Sequence, residues 1–321
     1  MAARVLVTDY VFANLDPELA VLDPLGIELV VAADQEVETL IAAVAGAGAM
    51  LVCFAPVPGE VVDAAAAAGC KVIARYGIGI DNIDVAAASR HGIVVTNVPD
   101  YCLDEVADHT LALLLASERG IVPAVRGVAA GRWESDGSRI HRLAGRRLAV
   151  IGLGGIGRRV VARAQAFGFE IVGYDPMLAE APPGVELAAS LEEAVRDADV
   201  VTLHLPMGPD TAGLIDAEVL AAMRRQPLLI NTARGGLVDL DAALEALERG
   251  LLSGLALDVT EPEPLPPEHP LRTHPRAIVT PHMAFHSVEA TEELQRRAAS
   301  EVARALAGER VECPVNPEVL G

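Results

Sequence analysis

Arg234, Glu263 and His282 are three polar groups of different kinds, each standing shortly after an apolar run: Leu228 to Asn231, Leu255 to Val259 and Ile278 to Thr280. Such runs read as strands, and in open α/β sheets ligands lie beyond the carboxyl ends of the strands. Topology therefore brings the three side chains to one edge. Together they could handle a carbonyl that stands beside a carboxylate. A guanidinium binds such oxygens and steadies negative charge as it develops. An imidazole, with an unperturbed pKa of about 6.5, gives or takes the proton, and a neighbouring carboxylate holds it in place and favours its charged form. This is the protein's share of a hydride transfer between a 2-keto acid and a 2-hydroxy acid; the hydride needs a cofactor.

The cofactor signal is Gly152-Leu153-Gly154-Gly155-Ile156-Gly157, which follows the run Leu148 to Ile151 and precedes an apolar helix holding Val160, Val161 and Ala164. In that context the glycines serve a tight turn, close approach to a pyrophosphate and close helix-strand packing, with the helix N-terminus facing the phosphates. At the end of the next run stands Asp175, followed by Pro176 and Met177. A carboxylate there accepts hydrogen bonds from a ribose 2′-hydroxyl and repels a 2′-phosphate, so NAD is expected rather than NADP. His204-Leu205-Pro206 lies at the same rim, with the His204 ring read as structural. Earlier in the chain, Arg75-Tyr76-Gly77-Ile78-Gly79 follows a strand-like run and carries two glycines. Such a turn can present backbone N–H groups to an anion, and the amides of Ile78 and Gly79 are expected to hold the substrate carboxylate.

The elements that must position these groups form two βα series. In the first, Arg4 to Thr8, Glu28 to Val31, Met50 to Phe54, Val72 to Arg75 and Ile93 to Thr96 read as strands. A long helix follows from near Leu103 towards Arg119, and Gly127 to Leu143 has little periodicity. The second series has six candidate strands: Leu148 to Ile151, Ile171 to Tyr174, Val200 to His204, Leu228 to Asn231, Leu255 to Val259 and Ile278 to Thr280. A helical run from Val288 to Leu306 and an extended tail close the chain. With 321 residues, two domains are expected: a smaller substrate domain, flavodoxin-like and discontinuous, over 1–100 and 287–321, and a doubly wound dinucleotide-binding domain over 101–286. The fold class is α/β with two Rossmann-like domains.

A formal charge of −20 argues against nucleic acid and anionic lipid as partners. No apolar run approaches the ~20 residues of a bilayer span, and the N-terminus carries no signal-peptide pattern, which implies a cytoplasmic protein. Four cysteines, Cys53, Cys70, Cys102 and Cys313, lack any metal-ligand spacing, so neither a metal site nor a disulfide framework is expected.

At these motifs the sequence resembles the D-isomer-specific 2-hydroxyacid dehydrogenase family along essentially the whole chain. The residues that carry the likeness are Gly152 to Gly157, Asp175, Asn231 to Gly235, Asp258 to Pro264 and Pro281-His282. The resemblance implies Arg234, Glu263 and His282 as a catalytic triad. It completes the cofactor set of Gly152, Gly154, Gly155, Ile156, Gly157, Asp175, His204, Pro206, Thr232, Ala233 and Asp258, the Asp258 and Thr232 region meeting the nicotinamide side. Arg75, Tyr76, Gly77, Ile78 and Gly79 form the substrate turn. A homodimer is implied as well. Asp100 to Asp108 and Pro281 to Ser287 most resemble the branch similar to C-terminal-binding protein. Cys53-Phe54 stands where phosphoglycerate dehydrogenases usually carry a basic and a small hydroxyl residue, so an unphosphorylated acid is expected. Glu263 stands where formate dehydrogenases of the superfamily carry Gln, which favours proton transfer chemistry. Gly155 replaces a customary Arg or Asn. The alternative function is an NAD(H)-sensing interaction protein of the same fold.

Overall fold

Apolar runs four to five residues long become strands whose side chains are covered on both faces, the pattern of parallel sheets with helices on either side. The computed structural model describes residues 3–134, 137, 138 and 140–321. Two units emerge, one taking the chain up to Tyr101 and from Ser287 onward, the other Cys102–His286.

The first unit has strands β1 (Arg4–Val7), β2 (Glu28–Val31), β3 (Ala49–Val52), β4 (Val72–Arg75) and β5 (Val94–Thr96). They are parallel, in the order β2-β1-β3-β4-β5, which is the flavodoxin-like order. The central strands β3 and β4 are buried throughout, whereas edge strand β2 is half-exposed. The helix Val288–Ala307 returns to this unit; Ser287 Oγ accepts from Ala290 N at 2.9 Å to cap its start, and Gly308, at φ 74°, ends it. The tail then lies along β5: Val315 N donates to Val95 O at 2.8 Å, and Asn316 Oδ1 accepts from Val95 N at 2.7 Å. The open edge of the sheet is covered in this way.

The second unit has β6 (Arg147–Ile151), β7 (Glu170–Tyr174), β8 (Val185–Leu187), β9 (Val200–Leu203), β10 (Leu228–Asn231), β11 (Gly254–Leu257) and β12 (Ala277–Val279). Its parallel order is β12-β11-β10-β9-β6-β7-β8, the doubly wound dinucleotide-binding arrangement with one strand added. Six strands were expected and seven are present among the described residues. The additional β8 has three residues, only one of them buried, and follows Pro182-Pro183-Gly184, with a central Glu186 in place of an apolar run. The order reverses between β6 and β9, so the turns after these two strands flank a switch point.

The helix Leu103–Glu118 packs Val106, Ala107, Leu111 and Leu114 inward. Its exposed start is tied to the helix Gly155–Ala166 by Arg163, which meets Asp104 at 2.8 Å and Asp108 at 2.5 Å. A separate helix, Ile121–Ala129, follows, so the start of the stretch from Gly127 is helical rather than irregular. Ser135, Asp136 and Arg139 of that stretch lie outside the described residues. Among the described residues no helix is long and apolar enough to cross a membrane, and no cluster of His, Cys, Asp and Glu could hold a metal ion.

Candidate active site

The Gly-rich turn starts where β6 ends. Gly152 sits at φ 92°, and a Cβ there would run into the carbonyl of His204 on the turn after β9. A Cβ on Gly157 would overlap the Gly152 carbonyl, so the helix can approach the strand this closely only without side chains. Gly155 has its own reason: a Cβ there would meet Leu103 Cδ1 at 3.1 Å. A side chain here would require the Leu103 side chain to shift by a few tenths of an ångström. The helix begins at Gly154 without a side-chain cap, which leaves first-turn N–H groups for a ligand.

Asp175 faces this turn. Its Oδ2 accepts from Leu153 N at 2.9 Å and its Oδ1 from Met177 N at 3.0 Å, so two amides fix the carboxylate just beyond β7. His204 Nε2 lies 2.9 Å from Thr202 Oγ1, its buried Nδ1 has no hydrogen-bond partner among the described residues, and burial pushes its pKa down to about 3, which keeps the ring neutral. Pro206 O accepts from Thr211 Oγ1 at 2.8 Å, which ties down the rim of the same turn. A cradle that a Cβ would fill, an uncapped helix start and a fixed carboxylate one strand away fit a dinucleotide.

Across the sheet, the turn after β10 is built by Asn231, whose Nδ2 donates to Arg234 O at 2.7 Å while its Oδ1 accepts from Ala233 N at 3.0 Å. Thr232 is buried and pairs with Thr110 Oγ1 at 2.9 Å. Arg234 is half-buried with extended backbone, and its Nη1 donates to Ala233 O at 2.7 Å. Gly235 follows because any Cβ would collide with the Thr260 carbonyl. This close approach sets the Arg234 turn against the segment that leads into Glu263.

His282 and Glu263 meet directly, Nδ1 to Oε1, at 2.6 Å. With Glu263 accepting at Nδ1–H, Nε2 becomes the ring atom for a reacting group. His282 has φ 49°, in the left-handed region that L-residues other than Asn, Asp and Gly seldom adopt. Such a conformation persists only where the surroundings impose it, and here Asp258 does much of that. Asp258 O accepts from His282 N at 2.8 Å, and the buried carboxylate accepts from Met283 N at 3.0 Å, Ala284 N at 2.8 Å and Thr280 Oγ1 at 2.6 Å. His109 Nε2 lies 3.1 Å from Thr280 Oγ1 and 3.5 Å from Asp258 Oδ1. The sequence reading gave His109 and Thr280 no role. Their signal is polarity in the middle of the Leu103–Glu118 helix and just beyond β12.

The remaining sequence-predicted residues belong to the first unit. Arg75 is a buried guanidinium facing the Phe54 ring, 5.7 Å from its centroid. Gly77, at φ 147°, passes so close to Arg75 that a Cβ would meet its Cζ at 3.1 Å. Tyr76 turns its ring inward, where its hydroxyl donates to buried Glu18 at 2.8 Å. Ile78 and Gly79 are half-buried, and among the described residues their N–H groups meet no acceptor.

Comparison with known proteins places the chain among dehydrogenases and reductases. The sequence model "D-isomer specific 2-hydroxyacid dehydrogenase, NAD binding domain" matches residues 111–284. D-3-Phosphoglycerate dehydrogenase of Methanocaldococcus jannaschii is 42% identical over 249 residues, which is 77% of this chain and 47% of that protein. The chain thus spans about half the length of such relatives. Glyoxylate reductase of Thermofilum pendens is 37% identical over 269 residues, 81% of this chain and 78% of that protein. Among solved structures, NADPH-dependent glyoxylate/hydroxypyruvate reductase from Sinorhizobium meliloti, in complex with NADP and malonate, superposes with a TM-score of 0.89 at 29% identity, covering 98% of this chain and 97% of that one.

Proposed function

The chain belongs to the D-isomer-specific 2-hydroxyacid dehydrogenase family, and on that premise we propose that it interconverts a small, unphosphorylated 2-keto acid and its D-2-hydroxy acid with NAD. The observation that carries the reading is the 2.6 Å contact between His282 Nδ1 and Glu263, on a backbone held in the left-handed region. NAD, when bound, supplies or accepts the hydride at the substrate's C2. His282 Nε2–H gives its proton to the carbonyl oxygen in the reducing direction and recovers it in the oxidising one. Glu263 orients the ring, and Arg234 binds the carbonyl and carboxylate oxygens. The second unit carries the cofactor through Gly152, Gly154, Gly155, Ile156, Gly157 and Asp175, with His204, Pro206, Thr232 and Ala233 along the rim; Asp258 acts by holding the His282 loop. The first unit carries the substrate carboxylate on the amides of Ile78 and Gly79, with Arg75, Tyr76 and Gly77 shaping their turn.

Two further features belong to this proposal. Ile121, Val125, Val128 and Trp133 stand exposed on and after one helix, and a second copy of the chain would cover such an apolar face. None of the four cysteines is in a disulfide, which suits the cytoplasm.

The direct test is NADH oxidation against glyoxylate, hydroxypyruvate, pyruvate, longer 2-keto acids and phosphohydroxypyruvate. Turnover of an unphosphorylated acid, well above that of phosphohydroxypyruvate, is expected. Tight NADH binding with no turnover of any of them would favour the sensing alternative, and preference for the phosphorylated acid would overturn the substrate class. For Asp175→Ala, loss of the ribose hydrogen bonds should raise KM for NADH about tenfold or more and narrow the preference over NADPH. Unchanged cofactor kinetics would remove Asp175 from the ribose.

A further inference from the structure

The turn after β3 has the form of an anion nest, three successive backbone amides directed at one point. The anion is part of the chain. Asp9 Oδ1 accepts from Cys53 N at 3.1 Å and Ala55 N at 3.1 Å, and Asp9 Oδ2 accepts from Phe54 N at 2.7 Å. Thr8 Oγ1 donates to Asp9 Oδ1 at 2.7 Å, and Gln35 Nε2 donates to Oδ2 at 3.2 Å. Three of these five donors are amides of this loop, and the hydrogen bonds are of the charge-assisted kind.

Its place in the sheet gives the arrangement a use. Asp9 stands just beyond β1 and the nest just beyond β3, and the order β2-β1-β3-β4-β5 reverses between these two strands. In doubly wound sheets the crevice at that reversal receives ligands. The held loop continues into the substrate turn: Asn82 Nδ2 donates to Cys53 O at 3.2 Å and Ala55 O at 2.8 Å, and Phe54 presents its ring to Arg75. The Cys53 thiol is pushed up to about 12 by burial and stays neutral. Asp9 is therefore the anion that organises these amides.

We propose that Asp9 is a positioning residue for the substrate: its carboxylate occupies the nest of Cys53, Phe54 and Ala55 and so fixes Phe54 and the Arg75 to Gly79 turn where the keto acid is received. The kinetic consequence rests on the reductase reading above, whereas the occupancy of the nest does not.

The test uses the full chain carrying Asp9→Ala, which leaves a hole the size of one carboxylate, with sodium formate as the probe and sodium chloride as the ionic control. Formate should raise the Tm of the variant saturably and leave that of the parent unchanged, a result that needs no substrate. In turnover, KM for the keto acid should rise about tenfold with kcat within about twofold, and formate should bring KM back towards the parent value. Should Asp9→Ala fail to fold, Asp9→Asn, which sets an amide N–H₂ against the nest, should show the same rise in KM without formate rescue. Unchanged KM in the folded variant, or formate acting no differently from chloride, would overturn the proposal. If the parent turns over no keto acid the reductase reading fails, and the thermal measurement still decides the nest.

Discussion

His282→Asn should lower kcat about a thousandfold, about 4 kcal/mol of barrier, because general acid-base transfer contributes on the order of 10²–10⁴ and asparagine carries no titratable proton. The substitution suits this position for a structural reason. His282 occupies φ 49°, and asparagine is among the residues that enter the left-handed region most readily. The backbone N–H bonds to Asp258 O and Thr280 O involve no side-chain atom of His282, so the 282–284 loop should keep its course. NADH affinity, measured by fluorescence titration, should stay within about twofold of the parent, since His282 is not among the residues proposed to hold the cofactor. Near-normal kcat would remove His282 as the proton donor.

Arg234→Lys should cost about a hundredfold or more in kcat/KM, with kcat falling and KM rising together. Lysine keeps the charge and loses the planar fork that meets a carboxylate and its neighbouring carbonyl at two points. In this structure the guanidinium is also anchored by Nη1 to Ala233 O at 2.7 Å, on a turn braced by Asn231. A flexible ammonium would have to satisfy Ala233 O and the substrate with one rotating head. Steady-state kinetics with the best keto acid decides the matter: if the variant keeps most of its kcat/KM, the arginine acts only as a point charge.

Both variants act at positions that could be found from sequence, because a polar residue just after a β-branched run is a local pattern and the edge rule of open sheets assigns it a place. In the first βα series the same rule points, beside the Arg75 to Gly79 turn, to Asp9, one residue beyond Thr8. Gly155 is a departure from its family by sequence, whereas its contact with Leu103, a residue on a preceding helix, is visible only in the structure. The strand β8, Val-Glu-Leu with one buried residue, lacks the continuous apolar run that marks the equally short β5 and β12.

Amino-acid order by itself determined the two βα series, the switch-point position of the Gly-rich turn and the kinds of group at the carboxyl edge, since each depends on neighbours a few residues apart. Tertiary structure alone decided what holds those groups in a working pose. Thr280 and His109, 171 positions apart, meet near Asp258, whose amide contacts impose the His282 backbone; Asp9 captures amides 44 to 46 positions away. Hydrogen bonds to a carboxylate depend on distances of a few tenths of an ångström, and packing of separate elements sets those distances, which no local periodicity encodes.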